Sequence, residues 1–352
     1  MAHQLEAESI KKILIVGHSN IGDVVYDLVV IDPLRKHFPH AKIFFLTSPR
    51  SHNLAAGYNG IERVIVLDKH GEDKGLLRRI RFHQALKKEK FDLVVLLKKT
   101  LMHKFLMIPF GWNIPGACKE DLAKRATHPV DIYLNFLRSK GVRAGSAVFD
   151  FGLDTEKQFC DDFFAKNALD RFKVVGFLPL AAASFKNWPI DKWNRLAEVL
   201  QKEDGVRMLA FGRSSDDLYA KRVMREISPE IASAIDRTTL RQALALIGRC
   251  ELFVGPDSSL LHAASCLGVE SIGLYGPTPA DYIYPYFHRN NIITIKEEPP
   301  GMLCLTEPFS CPCRRVTQPS ACMEKISVEE VLASIRANLG KKNISLSERE
   351  KE

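Results

Sequence analysis

No run of about twenty apolar residues occurs anywhere in the 352-residue chain, so no transmembrane helix is predicted. The first dozen residues, MAHQLEAESIKK, lack the apolar stretch of a secretory signal. Together these absences lead to the expectation of a cytoplasmic protein. No low-complexity segment precedes the tail. The strand-to-helix loops carry neither G-x-G-x-x-G nor G-x-x-x-x-G-K-[S/T], which argues against a dinucleotide oxidoreductase and a P-loop enzyme. The eight cysteines form no paired C-x-x-C arrangement, and a reducing compartment argues against a disulfide framework.

What is present is the composition of a globular protein, 46% hydrophobic and 26% charged at 39.7 kDa. That size exceeds one hydrophobic core and predicts two domains of about 150 to 180 residues. The net charge of +8 suits an anionic partner such as a nucleotide, an acidic lipid surface or nucleic acid. Nucleic acid is the weakest of these, because no recognised module accompanies the basic residues. The basic residues gather at 74–90 (KGLLRRIRFHQALKKEK) and at Lys98-Lys99. The plain reading is an amphipathic helix with a solvated basic face; the functional one is a patch meeting anionic membrane lipid or a phosphorylated acceptor.

Along the chain, short apolar strands alternate with helical periodicity. Residues 12–17 read as a strand, 24–37 as a helix, 42–46 and 64–67 as strands, 76–88 as a helix and 91–97 as a strand. Residues 109–129 read as loop and 130–140 as a helix. Strands apolar throughout imply a parallel sheet covered on both faces. After the glycine-rich stretch 141–155 the alternation resumes, with strands at 173–178, 206–211, 251–254, 271–275 and 292–295. The fold class is therefore α/β, with two doubly wound, Rossmann-like domains expected to face each other across a cleft.

Within the second domain, residues 251–278 (ELFVGPDSSLLHAASCLGVESIGLYGPT) read as strand, loop, helix, strand and loop. Asp257-Ser258-Ser259 offers three helix N-cap types, and Gly268 closes the helix. Ser258 to His262 can present backbone N–H groups to a phosphate, although an ordinary capped helix has the same pattern. The loop before Trp188 carries Lys186, which can neutralise phosphate. Asp216 or Asp217, after Gly212, can accept hydrogen bonds from ribose hydroxyls. In the first domain, Asp23 stands where catalytic groups collect, at a strand's carboxyl end. A carboxylate there is also favourable simply to the helix dipole.

The segments SNIGDVV (19–25), LRKHFPHAKI (34–43), FKNWPIDKW (185–193), FGRSSDDLYAKRV (211–223), GPDSSLLHAASCLG (255–268) and LYGPTPADYIYP (274–285) resemble, in this order and spacing, glycosyltransferase family 9, the ADP-heptose:lipopolysaccharide heptosyltransferases. The resemblance covers nearly the whole chain and implies a GT-B fold. It implies an inverting transfer of a heptose or related sugar from an ADP-sugar to the inner core of lipopolysaccharide, at the cytoplasmic face of the inner membrane. It makes Asp23 the general base and Lys186 the group that steadies the departing diphosphate. Asp216, Asp257, Ser258, Ser259, Leu260, His262, Gly276 and Thr278 are then expected on the donor side. Ser19, Asn20, Gly22, Arg50, Lys98 and Arg125 are expected on the acceptor side, with Lys99 and Lys104 also in reach of acceptor phosphates or carboxylates. No cofactor and no metal is implied, the ADP-sugar being a substrate.

The chain departs from the family pattern at Ser259 (glycine in the family), Ala181 and Ala182 (small hydroxyl residues), Val29 (proline) and Gly17-His18 (a basic residue). A differently specific or non-catalytic nucleotide-sugar-binding protein, or an epimerase, on the same fold is the alternative. The expected domains are 1–165 for the acceptor, 166–326 for the nucleotide-sugar, a helix at 327–340 crossing back to the first domain, and a disordered tail at 341–352. Cys118, Cys160, Cys250 and Cys266 read as packing residues. Cys304, Cys311, Cys313 and Cys322, spaced C-x6-C-x-C-x8-C, read as packed thiols in preference to a zinc site.

Overall fold

A computed structural model describes residues 7–98, 110–113, 127–278, 280–281, 283–296 and 319–341. The chain divides into two compact units, the first giving way to the second between Gly152 and Leu153. This is earlier than residue 165, and the packing explains why. Asp150 is tied to the first unit, its backbone N–H donating to the Tyr58 hydroxyl at 3.1 Å and its carbonyl accepting from Asn59 N at 3.0 Å. The helix Lys157–Lys166 belongs with the second unit instead, where the Arg249 guanidinium lies over Phe164 and pairs with Asp161 at 2.5 Å.

Among the described residues the first unit holds five parallel strands, β1 (Lys12–Val16), β2 (Lys42–Thr47), β3 (Arg63–Val66), β4 (Leu93–Leu96) and β5 (Phe110–Asn113), in the order β3-β2-β1-β4-β5. The strand β5 lies in a region read from sequence as loop. On one face Leu14, Val16, Phe44, Leu46, Val94 and Leu96 form a core closed by Leu86 and Phe91. The expected single helix over 24–37 is interrupted: α1 (Ile21–Asp27) and α2 (Ile31–His37) flank a 3-10 turn, Leu28–Val30. Pro33 lies in α2, and its missing N–H and bulky ring forbid a continuous α-helical ladder through the preceding turn. Three further helices are described in this unit, α3 (Pro49–Ala56), α4 (Leu76–Lys88) and α5 (Pro129–Ser139).

The second unit holds β6 (Lys173–Leu180), β7 (Val206–Gly212), β8 (Ala232–Ser233), β9 (Leu252–Pro256), β10 (Glu270–Tyr275) and β11 (Ile292–Thr294), all parallel and ordered β11-β10-β9-β6-β7-β8. Its core is anchored by Trp193, whose ring lies 4.6 Å from Phe177 and 4.8 Å from Trp188. The C-terminal helix, Val328–Asn338, opens with a Ser327–Glu330 capping box. It packs on the second unit. Val331 and Ile335 are buried in that core, and Arg336 pairs with Asp204 and Glu203. Its position is fixed just upstream, where the Ile326 carbonyl accepts from Trp188 Nε1 at 3.0 Å and Lys192 Nζ at 2.7 Å. No helix among the described residues is long and apolar enough to cross a membrane.

Candidate active site

Because both sheets are wholly parallel, the loops following their strands gather at the carboxyl edge of each sheet. In the first unit that edge carries the β1–α1 loop. Asp23 sits half-buried in the first turn of α1, and its Oδ2 accepts from Asn20 Nδ2 at 3.1 Å. Asn20 is the N-cap residue of α1, yet its side chain is spent on Asp23 and not on capping the helix. Ser19 is exposed, and its carbonyl accepts from Ser48 Oγ at 2.6 Å and Ser51 Oγ at 3.1 Å, which fixes this loop to the one after β2. Gly22 is half-buried beside Asp23, Arg50 is exposed on α3, and Lys98 is half-buried just beyond β4. Arg125, Lys99 and Lys104 lie outside the described residues.

Beneath Asp23 is a group that sequence reasoning missed. Asp27 follows Asp23 by four residues on the same helix face and is 0% exposed. It accepts from the His18 backbone N–H at 2.6 Å and pairs with His18 Nδ1 at 2.9 Å, while Tyr133 supplies a further hydrogen bond. Burial opposes protonation of His18, but the Asp27 carboxylate outweighs it, with Asp23 adding to the effect, and the imidazole pKa is raised. Lys98 belongs to the same charge cluster. Burial and the neighbouring Lys69 lower its pKa, against the pull of Asp27 and Asp23. The signal that could have found Asp27 was its acidity within an otherwise apolar run, Val24 to Ile31. A Cβ at Gly17 would come within 2.4 Å of the Phe45 ring and 2.9 Å of Asp27 Oδ2, so only glycine lets this loop lie so close to Asp27.

In the second unit the neighbouring strands β10, β9, β6 and β7 bring four loops to one edge. Lys186, in the 3-10 turn Ser184–Lys186, places Nζ 2.5 Å from Asp257 Oδ2. The other carboxylate oxygen of Asp257 is 2.9 Å from His262 Nε2. Burial works against ionisation of Asp257, but the Lys186 ammonium and the His262 ring prevail and hold its pKa well below the carboxylate range. Ser258 is the N-cap of helix Ser259–Leu267, accepting from Leu261 N at 3.4 Å, and Gly268 ends it in the left-handed conformation at φ 88°. Ser259 and Leu260 form the half-buried first turn, whose backbone N–H groups open toward this edge. The Tyr275 hydroxyl is buried with no hydrogen-bond partner among the described residues, and burial together with Asp257 pushes its pKa well up.

The supporting loops are held just as closely. Asn187 Oδ1 accepts from Ala181 N at 2.7 Å, and the Phe185 carbonyl accepts from Ser320 N at 3.2 Å. Asp217 is the N-cap of helix Leu218–Glu226, accepting from Ala220 N at 2.9 Å and also bonding Ser215 and Ser184, so it links the Lys186 loop to the loop after β7. That leaves Asp216, exposed beside it, as the carboxylate of this loop open to a ligand. Gly276 and Thr278 follow β10. At Gly276 a Cβ would lie 2.8 Å from Met323 Sδ and 3.1 Å from Cys322 Sγ, so the glycine admits the segment 321–325. Thr278 is half-buried. No group of three or more His, Cys, Asp or Glu residues able to hold a metal is found among the described residues. Cys160, Cys250, Cys266 and Cys322 are buried and form no disulfide among the described residues, whereas Cys118, Cys304, Cys311 and Cys313 lie outside them. A separate cavity of about 930 Å³, lined by Arg35, Tyr58 and Glu62 among others, lies at the amino end of β2, away from Asp23.

Comparison with known proteins places this geometry in a family. The sequence signature of glycosyltransferase family 9 (heptosyltransferase) matches residues 79–307. Lipopolysaccharide heptosyltransferase 2 of Salmonella typhimurium is 25% identical over 312 residues, covering 81% of this chain and 88% of that protein. A family 9 glycosyl transferase structure from Veillonella parvula superposes with a TM-score of 0.75 at 20% identity, covering 96% of this chain and 99% of the other. The structure of E. coli ADP-heptose lps heptosyltransferase II superposes with a TM-score of 0.69 at 21% identity, covering 93% and 98%. These two likenesses establish the fold, a GT-B architecture of two parallel-sheet units. With the family signature matching residues 79–307, more than half of the chain, the chain belongs to glycosyltransferase family 9, the heptosyltransferases, and is a glycosyltransferase.

Proposed function

We propose that this chain moves a heptose, or a related sugar, from an ADP-sugar to the inner core of lipopolysaccharide with inversion at the anomeric carbon. Asp23 is the general base. Its carboxylate takes the proton of the acceptor hydroxyl as that oxygen attacks the anomeric carbon, while the bond to the β-phosphate breaks and the electron pair leaves with ADP. The observation that carries the reading is the Lys186–Asp257–His262 cluster at the amino end of helix Ser259–Leu267. An ammonium has three donors, and Asp257 takes two of them, at Oδ2 (2.5 Å) and at its backbone carbonyl (3.4 Å). The third, with the first-turn N–H groups of Ser259 and Leu260, meets the charge that develops on the diphosphate.

In this scheme Asp216 accepts from the ribose, and Thr278 lies beside the phosphates. Ser19, Asn20, Gly22, Arg50, Lys98 and Arg125 hold the acceptor, with Asn20 also orienting Asp23. The fixed cation and the backbone donors do the work of leaving-group stabilisation, so the reaction runs without a divalent metal or other cofactor. The natural setting is the cytoplasmic face of the inner membrane, where a lipid-linked acceptor is presented. Support comes from the family membership and from names such as that of the E. coli relative, which specifies ADP-heptose. The test is incubation with ADP-heptose and with other nucleotide sugars, each with truncated lipopolysaccharide acceptors, read by mass. A heptose mass added to the acceptor from ADP-heptose alone is the expected result, and sugar release or isomerisation without acceptor would overturn the reading.

A further inference from the structure

The helix α4 buries little of itself. Leu86 is its one buried residue, and Phe82 is half-buried against the core beneath it. Leu76, Leu77 and Ile80 point the other way and are 75%, 73% and 43% exposed. At 3.6 residues per turn these three fall within a sector of about 100° on the side away from Leu86 and Phe82. Single exposed apolar residues are ordinary, but three adjacent ones in the first two turns of one helix form a patch. Arg81 borders that sector, Lys87 and Lys88 lie farther along it, and Arg78 and Arg79 flank it toward the core side, with Arg78 donating to the Glu72 carbonyl at 2.9 Å; α4 itself has no acidic residue. Asp73, just before the helix, is turned away to accept from Asp68 N at 2.8 Å.

Solvation alone does not account for both properties. A basic face kept in water has no use for exposed leucines, and an apolar contact with another protein surface would gain nothing from these neighbouring cations unless that surface were strongly acidic. A bilayer rich in anionic lipid supplies both partners at once: phosphates at the surface and acyl chains a few ångströms below. We propose that α4 is a docking surface for an anionic lipid bilayer, with Leu76, Leu77 and Ile80 entering the headgroup–acyl boundary and the flanking arginines and lysines meeting lipid phosphates. The proposal requires neither a particular donor nor a particular acceptor, so it stands or falls apart from the transfer reaction.

The test is flotation of the full chain with vesicles that contain no lipopolysaccharide, either phosphatidylcholine alone or phosphatidylcholine with about 30% phosphatidylglycerol. The wild type is expected to float with the anionic vesicles at least about tenfold more than with the neutral ones, and to be released by raised salt. Replacing Leu76, Leu77 and Ile80 together by serine should reduce binding about tenfold or more. Replacing Arg78, Arg79 and Arg81 by glutamine should cost roughly fivefold per charge removed. All six side chains are exposed, so circular dichroism and melting should match the wild type. As a gain-of-signal control, Leu77→Trp should show blue-shifted emission on anionic vesicles only. No flotation of the wild type, equal binding to neutral vesicles, undiminished binding by the triple serine variant, or an unshifted tryptophan would each overturn the proposal.

Discussion

Lys186 Nζ lies 2.5 Å from Asp257 Oδ2, while the opposite oxygen of the same carboxylate lies 2.9 Å from His262. The carboxylate thus fixes a lysine carried by the loop after β6 against a histidine one helical turn into Ser259–Leu267. Two separate stretches of chain are pinned at one point, beside unspent backbone donors. The arrangement holds a cation in place before the substrate brings its charge, which is what electrostatic stabilisation of a leaving group requires.

Removing that cation tests its role. Lys186→Ala should lower kcat about 10²- to 10³-fold through lost stabilisation of the departing diphosphate. It also leaves Asp257 with His262 alone, so stability should fall by about 1–3 kcal/mol. Steady-state kinetics and thermal melting check the two effects separately. Wild-type turnover by this variant would remove Lys186 from the mechanism.

The two buried carboxylate clusters should respond to pH with opposite signs. The pKa of His18 is raised in the folded state, so its pairing with Asp27 contributes fully below the unfolded histidine value of about 6.5 and is lost as pH rises through the folded value. Asp257 is depressed, so its contribution is present above about 3.9 and is lost only as pH falls toward its low folded value. The melting difference between wild type and His18→Asn, which keeps a donor near the Nδ1 position, should therefore shrink from about pH 5.5 to about pH 8.5, on either side of ~6.5. A His18→Asn difference that grows with pH would contradict the assigned pairing.

Gly276 separates packing from binding. A methyl group there meets Met323 and Cys322, both 0% exposed, so Gly276→Ala should destabilise by about 1–2 kcal/mol. Nucleotide affinity of the folded variant should stay at the wild-type value. Calorimetry with ADP decides between this and a direct contact, since loss of affinity without loss of melting temperature would place the glycine against the ligand.

The legible parts of the sequence were those with local causes. Ser258 as N-cap and Gly268 as terminator are written in residue chemistry, as are the apolar runs that became β1, β4 and β9. Pairing is non-local, and so the strand orders, the short β8 and the edge strand β5 were not readable. Val24–His37 looked like one helix because apolar periodicity continues across the break, although Pro33 was visible within it. The C-terminal helix is legible in the same partial way: its amphipathic pattern specifies a buried face, but only Trp188 and Lys192 bonding Ile326 decide which core that face meets. At the site, Asp23, Lys186 and Asp257 stand out by type and position. Asp27 and His18 do not, because a buried carboxylate shows its purpose only once its partners are in place.

The most direct measurement is heptose transfer by Asp23→Ala, set beside its affinity for ADP. Asp23 sits at the carboxyl edge of the first sheet, and the Lys186–Asp257–His262 cluster belongs to the second unit, so the proposed base can be removed without touching a group proposed to meet the nucleotide. The account predicts transfer reduced by at least about 10²-fold, within the range for loss of a general base, with ADP binding at the wild-type level. Full turnover by Asp23→Ala, with ADP bound as in the wild type, would contradict it.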